Sequence, residues 1–162
     1  MDCLRSAVNR WSRYWRLSAL ERGLLWRALV LLPLTTLALR VLGFRRWYAA
    51  LARLAPLRPS HAAKPSLSFS EQAQFTTRMV QAASREGLCR ANCLGQSLSL
   101  WWLLRRQGIP SELRIGVRKA DDGVAAHAWV EFAGAVLNDA QDVHQHYAPF
   151  DRAIAAAEVE PR

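Results

Sequence analysis

The hydrophobic pattern is strongest near the middle of the chain, over residues 93–106. Leucine and tryptophan surround nearly every side of a helix drawn through this stretch, which predicts a helix buried on all faces. Asn92 is a favourable N-cap residue, and Gly108 followed by Pro110 predicts where the helix ends. The pattern therefore places one central helix in the core, with Cys93 at its first position.

An uncharged apolar run over 28–39 predicts helical structure in the N-terminal third of the chain. As a helix this run rises only about 18 Å, whereas the ~30 Å core of a bilayer needs about 20 apolar residues. Pro33 predicts a bend or a break within it. We therefore expect two amphipathic helices that dock on the rest of the protein or on a partner, with peripheral membrane contact as the alternative.

A further helix is predicted from a capping box, in which Ser68 is the N-cap and Glu71 follows three residues later. This helix ends at Gly87. After the central helix the hydrophobic period changes from 3.6 to 2, which predicts strands over 112–118 and 124–132. Asp121-Asp122-Gly123 is a turn signal between these two strands.

A third strand, over 135–139, is predicted after a turn at Gly134, and its register decides whether His127 and Asp139 meet. A three-residue loop over 132–134, ending in a left-handed glycine, pairs these two residues on one face of the sheet. Their Cα atoms are then about 4.5–5.5 Å apart. A two-residue loop would move Asp139 to the opposite face. The pattern favours the three-residue loop.

Cys93, His127 and Asp139 together offer the chemistry of nucleophilic catalysis. Free amides and the helix dipole at the start of the central helix favour a thiolate, although an unpaired cysteine is also a common buried apolar residue. A histidine oriented by a carboxylate can take the thiol proton, and the thiolate can attack an amide carbonyl. The Cys93 N–H is a candidate oxyanion donor, and Gln96 and Trp129 are further candidates for oxyanion or substrate contacts.

The positive charge of the chain is concentrated at one end. The net charge is +9, and residues 1–58 carry all of it, because they hold eleven arginines and two acids whereas the remainder is balanced. Pro and Ser mark a linker over 59–66, so we predict a basic helical segment (1–58) and a second domain (67–162). An acidic peptide or protein, anionic lipid, or nucleic acid would match this charge. Arginines interleaved with aromatics in 1–18 are more typical of a solvated helix face, so nucleic acid is not an expected partner.

The cysteine pattern indicates a reducing compartment and no structural metal. Three cysteines form no disulfide framework, which favours the cytoplasm. Cys89 and Cys93 would need two more ligands to hold zinc, and only the distant His144 and His146 are candidates. No phosphate-binding loop is present in the sequence, and no cofactor is expected.

Several segments together resemble one family, the transglutaminase-like B2 proteins of lasso-peptide biosynthesis. The segments are Asn92-Cys93-Leu94, residues 101–110, residues 114–118, residues 126–131 and Leu137-Asn138-Asp139. The resemblance runs over 67–150, and residues 40–46 resemble the small helical segment of those proteins. It implies an α+β fold with a papain/transglutaminase-like core. In such a core the catalytic cysteine begins a buried helix that packs on a small antiparallel sheet, here preceded by a helical N-terminal segment.

The resemblance also implies a function. It implies a cysteine peptidase that removes the leader peptide from a ribosomally made lasso-peptide precursor, with Cys93, His127 and Asp139 at the catalytic positions. The implied partners are the precursor, a separate leader-binding B1 protein and an ATP-using macrolactam synthetase. The chain has Gly95-Gln96 where many relatives have Pro-Arg. Two alternatives stay open: acyl transfer to an amine on the same fold, and a non-catalytic, basic, tryptophan-rich binding module.

Overall fold

The computed structural model describes residues 18–55, 68–87, 91–120 and 123–149. The interleaved arginines and aromatics before residue 18 lie outside the described residues. The predicted linker, Cys89 and the first two residues of the predicted turn at 121–123 also lie outside them.

The described residues form four longer helices on one side of a small antiparallel sheet and a short fifth helix against its other side. The helices are α1 (Ala19–Val41), α2 (Gly43–Leu54), α3 (Phe69–Glu86), α4 (Cys93–Arg106) and the short α5 (Val143–His146). The strands are β1 (Glu112–Ala120), β2 (Gly123–Phe132), β3 (Ala135–Val136) and β4 (Ala148–Pro149). The order of strands in the sheet is β3-β2-β1-β4.

Helix α4 is the central helix that the hydrophobic pattern predicts. Asn92 caps it, since its Oδ1 accepts a hydrogen bond of 2.8 Å from the Gly95 N–H. Gly108, with φ of 74°, follows its last turn in the left-handed conformation. Its buried side chains are Leu98, Leu100, Trp101, Leu103 and Leu104, together with two serines. Helices α1 and α3 and the sheet all contact α4.

One hydrophobic core extends across the predicted boundary between the N-terminal segment and the second domain. Leu32 of α1 and Tyr48 of α2 belong to the same buried cluster as Leu98 and Trp101 of α4. The rings of Tyr48 and Trp101 stack with centroids 4.8 Å apart, and burial raises the pKa of Tyr48 to about 12. The described part of the N-terminal segment therefore docks on the rest of the protein, while the division into two domains stays a prediction.

Helix α1 is continuous through Pro33, so the prediction of two separate helices was wrong. Proline removes one backbone donor from a helix. Packing of buried side chains on both sides of this position, including Leu31 and Thr35, holds the axis together. The Thr35 hydroxyl also accepts a hydrogen bond of 3.3 Å from Ser99 of α4. Tertiary contacts therefore outweigh the local signal.

The face of α1 that points away from the core is apolar and exposed. Its exposed side chains are Trp26, Val30, Leu34, Leu37 and Val41. Helix α1 is long and apolar enough to cross a membrane by length and composition, and 28% of its most apolar window is buried inside the protein. The core helix of a soluble protein and a signal sequence also meet this criterion of length and composition.

Strands β1 and β2 form the predicted hairpin, with Gly116 opposite His127. The inner face of the sheet packs on α4 through Leu113 and Val130. The outer face carries Trp129 in a second, smaller buried cluster with Val136, Val143 and Tyr147. His127 lies on this outer face because side chains along a strand alternate.

The register predicted for the second hairpin was wrong. The loop has two residues, Ala133 and Gly134, with φ of 49° and 79°. Positive φ at both positions is the requirement of a type I′ turn, whose twist matches that of the strands. Phe132 consequently pairs with Ala135, and β3 ends at Val136 instead of continuing to residue 139.

Candidate active site

His127 and Asp139 are brought into direct contact although the sheet register does not pair them. The His127 Nε2 and the Asp139 Oδ2 are hydrogen-bonded. The Leu137 N–H still donates to the Val130 carbonyl at 2.9 Å. The Val130 N–H, however, donates to the Asn138 Oδ1 at 2.8 Å. The side chain of Asn138 thus ends the strand, and the chain turns so that Asp139 reaches His127.

The carboxylate of Asp139 is held at both oxygens. Its Oδ2 faces the His127 ring, and its Oδ1 accepts a hydrogen bond of 2.8 Å from the Ala140 N–H. Because Nε2 of the imidazole is engaged by the carboxylate, Nδ1 is the ring nitrogen left to exchange a proton with another group. A carboxylate in this position fixes one tautomer of the neutral ring and holds the ring in one orientation.

Two aromatic rings pack beside the imidazole. The Tyr147 ring lies 4.9 Å from the His127 ring, centroid to centroid, and the Trp129 ring lies 6.3 Å away. Gly116 makes this packing possible. A Cβ built on it would lie 2.8 Å from the Trp129 ring and 3.0 Å from the Tyr147 Cβ. The absence of a side chain at Gly116 lets both aromatic residues approach the strand next to His127.

Trp129 lies behind the histidine as a packing residue. It is fully buried, and its indole N–H donates to the Glu131 Oε1 at 2.6 Å. Glu131 also pairs with Arg114 and with His144, both at 3.3 Å. Trp129 was predicted as an oxyanion or substrate contact, but its ring is fully buried and its N–H is already bonded.

Cys93 is the first residue of α4, and its thiol is free and half-buried. The side-chain amide of the candidate oxyanion residue Gln96 donates to the Ala91 carbonyl at 2.7 Å. One of its two amide hydrogens is therefore used to hold the segment that precedes the helix. Gly95 is buried, and a Cβ there would lie 3.2 Å from the Asn92 Oδ1.

Ser97 ties the helix that begins at Cys93 to the residues next to His127 and Asp139. Its hydroxyl donates to the Ala128 carbonyl and accepts from the Asn138 side-chain amide, each at 2.8 Å. Ala128 follows the histidine in the chain, and Asn138 precedes the aspartate. Ser97 lies one helical turn after Cys93 and is fully buried. A single hydroxyl therefore connects the three elements that carry the candidate site.

The roles of Ser97 and Asn138 were missed from the sequence. The available signal was a serine within an otherwise apolar buried helix, since a buried hydroxyl needs a hydrogen-bond partner.

Among the residues that the structure describes, no group of three or more His, Cys, Asp or Glu side chains could hold a metal ion.

One family model matches most of the chain. A model described as the transglutaminase-like superfamily matches residues 38–152, more than half of the chain. The chain belongs to the transglutaminase-like superfamily. No significant match was found among curated proteins or among solved structures.

The match to the transglutaminase-like superfamily spans Cys93, His127 and Asp139. The α+β fold predicted for the chain is confirmed, with a helix that starts at a cysteine packed on a small antiparallel sheet. The superfamily includes cysteine peptidases and transglutaminases. The match begins at residue 38, inside the predicted N-terminal segment.

A substitution at Gly116 tests the packing around the imidazole. We expect Gly116→Ala to lower the free energy of unfolding by about 1–3 kcal/mol, because overpacking displaces well-packed neighbours. The displaced residues are Trp129 and Tyr147, and the second of these contacts His127. Urea unfolding measures the effect. Gly23→Ala is the matched control, since no atom lies within 4 Å of the added methyl group and alanine is the better helix former. An equal or higher stability of Gly116→Ala would contradict the packing described.

Proposed function

We propose that this member of the transglutaminase-like superfamily is a cysteine peptidase that removes the leader peptide from a lasso-peptide precursor. The hydrogen bond between His127 and Asp139 carries the proposal, together with the Ser97 link to the helix that begins at Cys93. The resemblance of the sequence to the B2 proteins supplies the substrate.

The proposed reaction begins with transfer of the Cys93 proton to His127 Nδ1, the ring nitrogen that Asp139 does not engage. The thiolate attacks the carbonyl carbon of the scissile peptide bond. When the tetrahedral intermediate collapses, the C–N bond breaks, and the imidazolium gives its proton to the leaving amine. Water, deprotonated by the same imidazole, then attacks the thioester. The C–S bond breaks, the leader leaves as a carboxylic acid, and the imidazolium returns its proton to the Cys93 sulfur.

The developing oxyanion needs amide donors. The first N–H groups of a helix have no acceptor within the helix, and at the start of α4 the Gly95 N–H is taken by the Asn92 side chain. The Cys93 N–H is therefore the first candidate. Gln96 is the weaker one, because one hydrogen of its side-chain amide is bonded to the Ala91 carbonyl.

The proposed partners follow from the same resemblance. They are the precursor peptide, a leader-binding B1 protein and a macrolactam synthetase, and the proposed location is the cytoplasm. The basic N-terminal segment docks on the B1 protein in this proposal, and the exposed apolar face of α1 supports such a surface. Peripheral contact of the same face with a membrane is the alternative.

Product analysis tests the proposed reaction and separates it from acyl transfer. The protein is incubated with a precursor and its leader-binding protein, with and without an added primary amine. The masses of the products are then measured by mass spectrometry. A peptidase gives two fragments whose masses sum to that of the precursor plus one water. If the main product is a leader peptide that carries the added amine, the protein is an acyltransferase. An intact precursor would favour the non-catalytic binding module.

A further inference from the structure

A pocket with a volume of about 320 Å³ lies beside the start of α4. It is lined by Thr36, Leu39 and Arg40 of α1, Phe44 of α2, and Asn92 and Leu94. The last two residues immediately precede and follow Cys93 in the chain. The pocket therefore adjoins both chain neighbours of the proposed nucleophile.

The chemistry of the pocket combines an apolar wall with one cation. Leu39, Phe44 and Leu94 supply the wall, and Arg40 supplies a guanidinium. The sequence has no aspartate or glutamate between Glu21 and Glu71, and no ion pair of Arg40 occurs among the described residues. Guanidinium groups bind carboxylates in a bidentate geometry.

We propose that this pocket binds a carboxylate-bearing residue of the substrate peptide. The apolar part of the bound residue packs on Leu39, Phe44 and Leu94, and the carboxylate of that residue pairs with Arg40. The inference rests on the proposed function to the extent that the ligand is a peptide held at Cys93. An acidic side chain and a chain terminus both supply a carboxylate, and the experiment separates them.

Alkylation of Cys93 tests the cation without any peptide. The thiolate displaces iodide from either iodoacetate or iodoacetamide, so an S–C bond forms while the C–I bond breaks. Only the first reagent carries a carboxylate. We expect Arg40→Gln to lower the ratio of the two rates at Cys93 by about two- to fivefold, the range of an exposed ion pair. Peptide mapping assigns the label, because the chain has two further cysteines, Cys3 and Cys89.

Arg46→Gln is the matched control, since Arg46 is exposed on α2 and does not line the pocket. It should keep the wild-type rate ratio. High salt should reduce the wild-type preference for iodoacetate, because it screens the interaction. Equal ratios in the Arg40→Gln and Arg46→Gln proteins would overturn the proposed role of Arg40.

Peptide variants identify the source of the carboxylate. Residues that flank the scissile bond of the precursor are changed one at a time to glutamate and to glutamine, and truncated peptides carry either a free or an amidated C-terminus. We expect a glutamate preference of about two- to fivefold in kcat/KM at one position. This preference should be lost in Arg40→Gln and kept in Arg46→Gln. A preference confined to the free terminus assigns the pocket to a chain end.

The two proposals fail separately. Cleavage with no preference for any carboxylate overturns the pocket and leaves the peptidase intact. If the wild-type protein cleaves no peptide, the peptidase proposal fails, and the alkylation ratio alone decides whether Arg40 binds carboxylates beside Cys93.

Discussion

Cys93→Ala is expected to lower kcat/KM for precursor cleavage by roughly 10⁴-fold or more, because the nucleophile of the proposed reaction is removed. The fold should survive. Alanine is a good helix former, and the Cys93 side chain is only half-buried at the start of α4. The measurement is the cleavage rate by mass spectrometry, with the melting temperature recorded on the same preparation.

Cys3→Ala is the control for Cys93→Ala, since it removes a thiol far away in the sequence, and it should retain the wild-type rate. Cleavage at the wild-type rate by the Cys93→Ala protein would exclude Cys93 as the nucleophile. If Cys93→Ala loses activity because it unfolds, Cys93→Ser is used instead, since serine preserves the size of the side chain and removes only the sulfur.

Asp139→Asn is expected to lower kcat by about 10²–10⁴-fold, as replacement of the orienting carboxylate does in catalytic triads. Both oxygens of Asp139 accept hydrogen bonds, one from the Ala140 N–H and one at His127. An asparagine side chain has only one acceptor oxygen. If this oxygen keeps the hydrogen bond from the Ala140 N–H, the NH₂ group faces His127 Nε2 and favours the tautomer in which Nδ1 carries the proton. That tautomer cannot take a proton from Cys93.

Asp142→Asn is the matched control, because Asp142 is an exposed acid in the same region that pairs with His146 at 3.5 Å. Alkylation of Cys93 by iodoacetamide gives a second readout, because an imidazole held in the correct tautomer can take the thiol proton. The reaction should slow in Asp139→Asn and stay unchanged in Asp142→Asn. A kcat for Asp139→Asn within about twofold of wild type would show that Asp139 does not orient the histidine.

Local signals predicted the ends of α3 and α4 well. The capping box of Ser68 and Glu71 is present, and Asn92 caps the central helix. Each of these signals needs only residues within one turn of each other, so the sequence contains all the information. The alternation that predicts β1 and β2 is equally local, and both strands are confirmed.

The second hairpin could not be predicted in the same way. Its loop places Ala133 at positive φ, a conformation in which glycine or asparagine is the usual signal. Without that signal the length of the loop, and hence the register, was undetermined. His127 and Asp139 meet despite the shift because the side chain of Asn138 replaces a strand carbonyl. That exchange depends on tertiary geometry around Ser97.

Cross-linking tests most directly whether Cys93 and His127 share one cleft. 1,3-Dibromoacetone alkylates a reactive thiol first, and its second carbon can then alkylate only a nucleophile within the reach of a three-carbon bridge. Digestion and mass spectrometry identify the linked peptides. The proposed site predicts a bridge from Cys93 to His127, lost in His127→Ala and kept in His144→Ala. Cys93 labelled at one end only, or bridged to another residue, would contradict the proposed catalytic site.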